Sequence, residues 1–342
     1  MVGAIGGTGG IALDIVLIGV AGVGLWFGSG LLVEGAVAIA GRLGLSEAVI
    51  GLTVIAIGTS APELLVTGNA AISGEGDIAV GNVVGSNVFN LGFVLGGLAL
   101  TRDIPTSRNL VRRDGPVLLA AALLVTVFLF DGRLSAWEGG ALVALWVSYV
   151  TALLLGLSAT EGDAVNVDPD DIDTAVEAAV PDLPGDLDEW EGGDEWPLPR
   201  MVAVLLLGLV LLLGGAHLLV GSASSIARAV GIAEWVIGVT VVATGTSMPE
   251  FATVTAAARR GSHGVTAGTL IGSDLSNLLL ALGVAAVIQP LLIDVAVVPN
   301  FGPLVLTVGL VIVLSLTGER LRRREGALLV AVALGRWVIP LL

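Results

Sequence analysis

One stretch of this chain is used twice. Residues 51–96 read GLTVIAIGTSAPELLVTGNAAISGEGDIAVGNVVGSNVFNLGFVLG, and residues 238–283 read GVTVVATGTSMPEFATVTAAARRGSHGVTAGTLIGSDLSNLLLALG. The copies align without a gap at an offset of 187, with about 19 of 46 positions identical. A fixed offset of this kind marks one structural unit repeated, because shared apolar composition alone gives far less identity. The copies sit in a chain of 342 residues that is 55% hydrophobic but only 13% charged, where a soluble domain carries about 25% charged residues. Apolar runs of roughly 17–25 residues, the length that spans a bilayer, recur throughout. They place ten spans near 11–40, 46–73, 78–100, 115–130 and 137–157, then 199–228, 232–259, 265–288, 301–317 and 326–341. Each copy falls on the second and third spans of its half. Five is odd, so the halves must enter the membrane in opposite orientations. The expected fold is an all-α integral membrane protein of ten transmembrane helices arranged as two inverted five-helix repeats. Such repeats place a binding site at mid-membrane where they meet.

The charge is concentrated between the halves. Of the net −15, nearly all lies in residues 159–197, which hold about 14 Asp and Glu, and no Arg, among Pro169, Pro181, Pro184 and Pro197, with Pro199 just beyond. That segment is too polar to bury and reads as a soluble linker, dividing the chain into 1–158, 159–197 and 198–342. All 15 basic residues are Arg, and an acidic linker without Lys fits a protein kept solvated in very high salt. Arg42, Arg102, Arg108, Arg112, Arg113, Arg259, Arg260, Arg320, Arg322, Arg323 and Arg324 fall in one set of loops, against little more than Arg133 and Arg228 in the other. The Arg-rich side should be cytoplasmic, which puts the linker inside and both termini outside a multi-pass cell-membrane protein. The first apolar run lacks a basic n-region and is expected to be a retained span. With no cysteine, disulfides, thiol catalysis and zinc–thiolate sites are excluded. The 49 glycines suit close helix packing and match no phosphate-binding motif in its strand–turn–helix context.

The chemistry lies in the motif GTSxPE. It places Glu63 and Glu250 near the middle of their spans, where an unpaired carboxylate costs at least about 2.5–3.5 kcal/mol. No Arg lies at comparable depth to pair with them. Pro62 and Pro249 lack an N–H and clash with the carbonyls of Gly58 and Gly245, so each helix should break beside its Glu and free main-chain oxygens. Irregular backbone at that depth is tolerated only when buried in protein or lining a polar cavity. Thr59, Ser60, Thr246 and Ser247 add hydroxyls. All of these are hard oxygen donors, which suit calcium with its 6–8 oxygens, whereas transition metals favour His or Cys. GSNVFN and GSDLSN add Ser86 with Asn90, and Ser273 with Asn277, each pair four apart on one helix face. The plainer role for these four is hydrogen bonding between helices. Asp274 replaces Asn87 and reads as structural or vestibular rather than as a ligand. His217 and His263 read as incidental.

Through GTSAPELL and GTSMPEFA, followed by GNVVGSNVFN and GTLIGSDLSN, the chain resembles the cation/calcium exchanger superfamily, and within it the prokaryotic sodium/calcium exchangers. The likeness covers both copies and the ten-span layout with an intracellular linker. It implies cation sites between the four central helices, with Glu63 and Glu250 as the paired acids. Ala56, Thr59, Ser60, Ala243, Thr246 and Ser247 match positions giving hydroxyl or carbonyl oxygens. Ser86, Asn90 and Ser273 match the remaining polar ligands. Asn277 stands where some relatives carry Asp, which removes a titratable group and leaves two carboxylates in the expected site. The first and sixth spans resemble the family's long gating helices.

The resulting expectation is a secondary antiporter, not an enzyme, exchanging calcium for sodium by alternating access. It would need no cofactor; the transported ions are its substrates, the lipid bilayer its surroundings, nucleic acid no partner, and the monomer its unit. A cation/proton antiporter using the same two Glu is the alternative within transport. A channel fits poorly with inverted repeats. An intramembrane protease would need more than paired acids, since no metal motif or nucleophile–base pair accompanies them.

Overall fold

In the computed structural model, residues 8–105, 110–155, 196–231, 243–294, 301–318 and 320–338 are described. Most of the acidic linker, Arg108, the start of the second copy and both termini lie outside them. The elements are α1 (Thr8–Leu43), α2 (Ala48–Thr59), α3 (Ala61–Ile72), α4 (Gly76–Thr101), β1 (Ile104–Pro105), α5 (Arg112–Asp131), β2 (Arg133–Leu134) and α6 (Ala136–Leu154). Then come α7 (Leu198–Ala229), α8 (Ala243–Thr246), α9 (Met248–Arg259), α10 (His263–Ile288), β3 (Leu291–Leu292), α11 (Phe301–Gly318), β4 (Arg320–Leu321) and α12 (Arg323–Val338). Among the described residues, α1, α4, α5, α6, α7 and α10 are each long and apolar enough to cross a bilayer, and α2 with α3 makes a seventh crossing if counted as one. The chain is therefore an all-α membrane protein. Helices are forced on it, because a lipid-facing segment has no water for its backbone groups and must satisfy them internally.

The breaks foreseen at the two prolines are present. Between α2 and α3 the axis bends by 49°. Ser60 sits at the joint with φ −80° and ψ 6°, and Pro62 falls in the first turn of α3, where its missing N–H costs nothing. Ser247 repeats this between α8 and α9, with φ −87° and ψ 6°, and Pro249 takes the place of Pro62. These values lie in the sparsely allowed bridge region, which residues at functional sites often occupy. Within α4 and α10 the helix widens to π geometry over Asn90–Leu95 and Ser276–Ala281. Each π segment covers an Asn of the second motif, and such bulges are frequent at functional sites.

Contacts far outside the two aligned stretches also repeat at the offset of 187. β1 pairs with β4 (Ile104 with Leu321), and β2 pairs with β3 (Leu134 with Leu291). Adding 187 to 104 and to 134 gives 291 and 321, so one clip maps onto the other. Gly74 and Gly261, also 187 apart, close the two α-hairpins at φ 75° and 70°, a conformation that suits glycine. Arginines gather at the β1–β4 end. Arg102 donates to the Ala258 carbonyl at 2.7 Å, and Arg323 donates to the Thr101 carbonyl. Arg133 lies at the β2–β3 clip.

Packing divides the bundle. α1 and α7 have 36 and 32 residues, about 54 and 48 Å at 1.5 Å per residue, more than the roughly 30 Å of hydrocarbon. They cross backbone to backbone: a Cβ on Gly28 would stand 2.6 Å from the Leu212 nitrogen, and one on Gly208 2.4 Å from the Leu32 nitrogen. Their buried residues, Leu25, Leu32, Val33, Leu205 and Leu212 among them, form a cluster with the near faces of α2, α9 and α10. The larger cluster is built by α3–α6 and α9–α12. At α1, Leu13, Ile15, Val16, Val20, Val23 and Phe27 face outward, as lipid contact requires.

Candidate ion-binding site

Glu63 and Glu250 are both fully buried. Pro62 and Pro249 start the short helices on which they stand, so each carboxylate projects beside a broken turn. What holds them crosses from one copy to the other. Ser60 donates its hydroxyl to Glu250 Oε1 at 3.1 Å, and Ser247 donates to Glu63 Oε1 at 3.1 Å. Ser247 lies 187 after Ser60 and Glu63 lies 187 before Glu250, so the two contacts exchange the copies and the joint of each steadies the acid of the other. Ser86 approaches Glu63 Oε1 from α4 at 3.5 Å. The Thr246 hydroxyl lies beside Glu63, and those of Thr59 and Ser273 lie beside Glu250. The second oxygen of each acid, Oε2, is buried with no hydrogen-bond partner.

Leaving such an oxygen unmet in a protein interior is expensive. A buried unpaired carboxylate costs several kcal/mol. Two carboxylates held by hydroxyls on one oxygen, each with its other oxygen unpartnered, are the donor chemistry that a hard cation takes. Six to eight oxygens at 2.3–2.6 Å would satisfy calcium. Other buried oxygens without a hydrogen-bond partner include those of Asn90 on α4, Thr253 on α9, and Thr269 and Asn277 on α10.

A second layer of polar side chains joins α4 to α10. Asn90 donates to Asp274 Oδ1, and Asn277 donates to Asn87 Oδ1, both at 3.0 Å. These two contacts are again related by the offset. Asn87 also donates to the main-chain oxygen of Asp274 at 3.0 Å. All four residues are fully buried. Asn90 and Asn277 thus meet Asp274 and Asn87 rather than the glutamates, and each keeps its own side-chain oxygen free of a hydrogen bond. Asp274 lies in this network with its Oδ2 unpartnered.

The remaining sequence candidates fall nearby. Thr59 and Ser273 hydroxyls meet at 3.2 Å, tying α2 to α10. That approach depends on Gly272, where a Cβ would lie 2.6 Å from the Leu52 carbonyl oxygen. The Ala56 carbonyl accepts from the Ser60 N–H at 3.0 Å and from the Thr59 hydroxyl at 3.3 Å, so it is engaged locally. Ala243 opens α8, where the description of the second copy begins. Sequence reasoning did not select Asn82. It donates to the Thr67 hydroxyl at 3.1 Å and to the Glu63 carbonyl at 3.4 Å. Its counterpart at the offset is Thr269, so the repeat carried no signal for it.

The sodium/calcium exchanger protein family matches residues 13–155 and 200–339. The protein CaxA of Alkalimonas amylolytica is 33% identical over 332 residues, 95% of this chain and 97% of that one. The sodium/calcium exchanger MaX1 of Methanosarcina acetivorans is 33% identical over 339 residues, covering 92% and 94% of the two chains. Among solved structures, the sodium-calcium exchanger NCX_Mj, soaked with sodium in the absence of calcium, superposes with a TM-score of 0.76 at 29% identity, over 95% of this chain and 97% of that one.

Proposed function

This chain belongs to the sodium/calcium exchanger family, a family of secondary transporters rather than enzymes, and we propose that it exchanges calcium for sodium across the cell membrane by alternating access. One observation carries the reading: two buried carboxylates, one from each copy, each held through Oε1 by a serine of the other copy and each presenting an unpartnered Oε2. Two such acids balance one divalent ion, or take up monovalent ions in its place. Competition for one set of charges is what couples the two fluxes.

In this reading the chain forms two inverted five-helix repeats, ten spans in all, over residues 1–158 and 198–342. The acidic linker 159–197 and the Arg-rich β1–β4 end face the cytoplasm, and both termini face outside. The offset-related clips at β1–β4 and β2–β3 support the inversion, since an in-plane two-fold exchanges the ends of the bundle. Glu63, Glu250, Thr59, Ser60, Thr246, Ser247, Ser86 and Ser273 would face the ions. Main-chain oxygens at Ala56 and Ala243 would join once local hydrogen bonds open, and Asn90 and Asn277 would contribute their side-chain oxygens. α1 and α7, packed on one another through glycines, would slide as a pair against the core and open its two sides in turn.

The test is flux in reconstituted vesicles. Calcium uptake should require an outward sodium gradient and be lost in Glu63→Gln and in Glu250→Gln. Uptake that follows a pH gradient and ignores sodium would replace this reading with cation/proton exchange.

A further inference from the structure

Asp274 is a third fully buried carboxylate, and neither the serine cross-ties nor the two-glutamate cage uses it. At the offset of 187 its counterpart is Asn87, and the surrounding contacts keep that relation: Asn277 donates to Asn87 Oδ1 as Asn90 donates to Asp274 Oδ1, both at 3.0 Å. The relation fails at the other arm of the side chain. Asn87 has an amide there and donates it to the Asp274 main-chain oxygen at 3.0 Å. Asp274 has Oδ2, which donates nothing when ionised and is left without a hydrogen-bond partner. Asn90 Oδ1 and Asn277 Oδ1, in the same layer, are likewise unpartnered. No group of three or more acidic or imidazole side chains gathers closely enough to hold one metal ion among the described residues. The third carboxylate therefore does not close on the same point as Glu63 and Glu250.

We infer that Asp274 Oδ2 forms a further subsite for a monovalent cation, sodium, beside the two-glutamate cage, with which it would share the side-chain oxygens of Asn90 and Asn277. One carboxylate and two neutral amide oxygens balance a single positive charge; a calcium ion there would keep an excess charge in a low-dielectric interior, which is costly. Amide and carboxylate oxygens are hard donors suited to an alkali cation rather than to a transition metal. The inference deepens the exchange reading and rests on it: the cage holds the ions that compete, and the Asp274 subsite adds one sodium that calcium does not displace directly.

The experiment measures thermal unfolding of the purified full-length chain in detergent, against sodium chloride, with choline chloride holding ionic strength constant. In the Glu63→Gln/Glu250→Gln double variant the cage has lost its charge. The subsite predicts that sodium still raises the unfolding midpoint of this double variant, and that adding Asp274→Asn abolishes the rise. Asp274→Asn places at 274 the residue that 87 already carries; if that triple variant does not fold, Asp274→Ser gives the same readout. A double variant indifferent to sodium, or a sodium response that survives removal of Asp274, overturns the subsite. Failure of the exchange reading shows elsewhere, as wild-type vesicles without sodium-driven calcium flux.

Discussion

At the scale of single residues, the defining arrangement is the exchange of hydrogen bonds between copies. A hydrogen bond to a charged group contributes about 1.5–3 kcal/mol, and here it occupies Oε1 of each acid and leaves Oε2 unpartnered. Ser60→Ala should therefore weaken calcium binding by about 1.5–3 kcal/mol, roughly ten- to a hundred-fold. Ser247→Ala should match it, because the two contacts are equal at 3.1 Å. Calorimetric titration with calcium in sodium-free buffer checks both, and a large effect from one serine with none from the other would contradict the pairing. The sequence made the acids and hydroxyls legible, because carboxylates at mid-span have no cheap structural excuse. It could not reveal that Ser60 serves Glu250 rather than Glu63, a contact between residues 190 apart. Nor did it reveal the burial of Asp274: Asn87 and Asn90 of α4 both bond to it, and the packing of α4 on α10 encloses it.

At the scale of elements, the bends and the close crossings set the site. The proline breaks could be read directly, since proline's missing N–H and ring clash act locally. The π segments at Asn90 and Ser276 could not, because they answer to packing rather than to propensity. Gly272 lets α2 and α10 meet closely enough for Thr59 to reach Ser273. Gly272→Val puts branched bulk where a Cβ alone already lies 2.6 Å from the Leu52 carbonyl oxygen and 2.7 Å from Ala56 Cβ. Overpacking of this kind costs about 1–3 kcal/mol. The variant should unfold at a lower temperature in detergent and lose calcium uptake, whereas Gly81→Val, with open space at its Cβ, should keep its stability. α7 bears on the motif glycines too: a Cβ on Gly58 would lie 3.1 Å from Leu209 Cδ1, and one on Gly245 2.2 Å from Val220 Cγ2. If α7 slides across these positions, Gly245→Leu should slow transport more than it weakens calcium binding, measured as flux against equilibrium titration on the same preparation.

At the scale of the whole molecule, the repeat predicted more than its own 46 positions. Among the described residues, helix ends lie within a few residues of those expected from the apolar runs, as for α7 at Leu198–Ala229 against 199–228, while the span expected at 232–259 begins outside them. The two-residue strands that clip the ends had no sequence signal, being too short to show alternation, yet they obey the offset. Their placement gives a topology test in a chain free of cysteine. A cysteine at exposed Arg133 should react with a membrane-impermeant thiol reagent applied outside intact cells, and one at exposed Arg320 only after permeabilisation. The reverse pattern would invert the orientation read from the arginines. The central claim, that one ion is shared by the two copies through Glu63 and Glu250, is tested most directly by a crystal soaked in calcium and measured for anomalous scattering. The account predicts a peak about 2.3–2.6 Å from the Oε2 atoms of both glutamates; a peak bound to one glutamate alone, or calcium found only outside the bundle core, would contradict it.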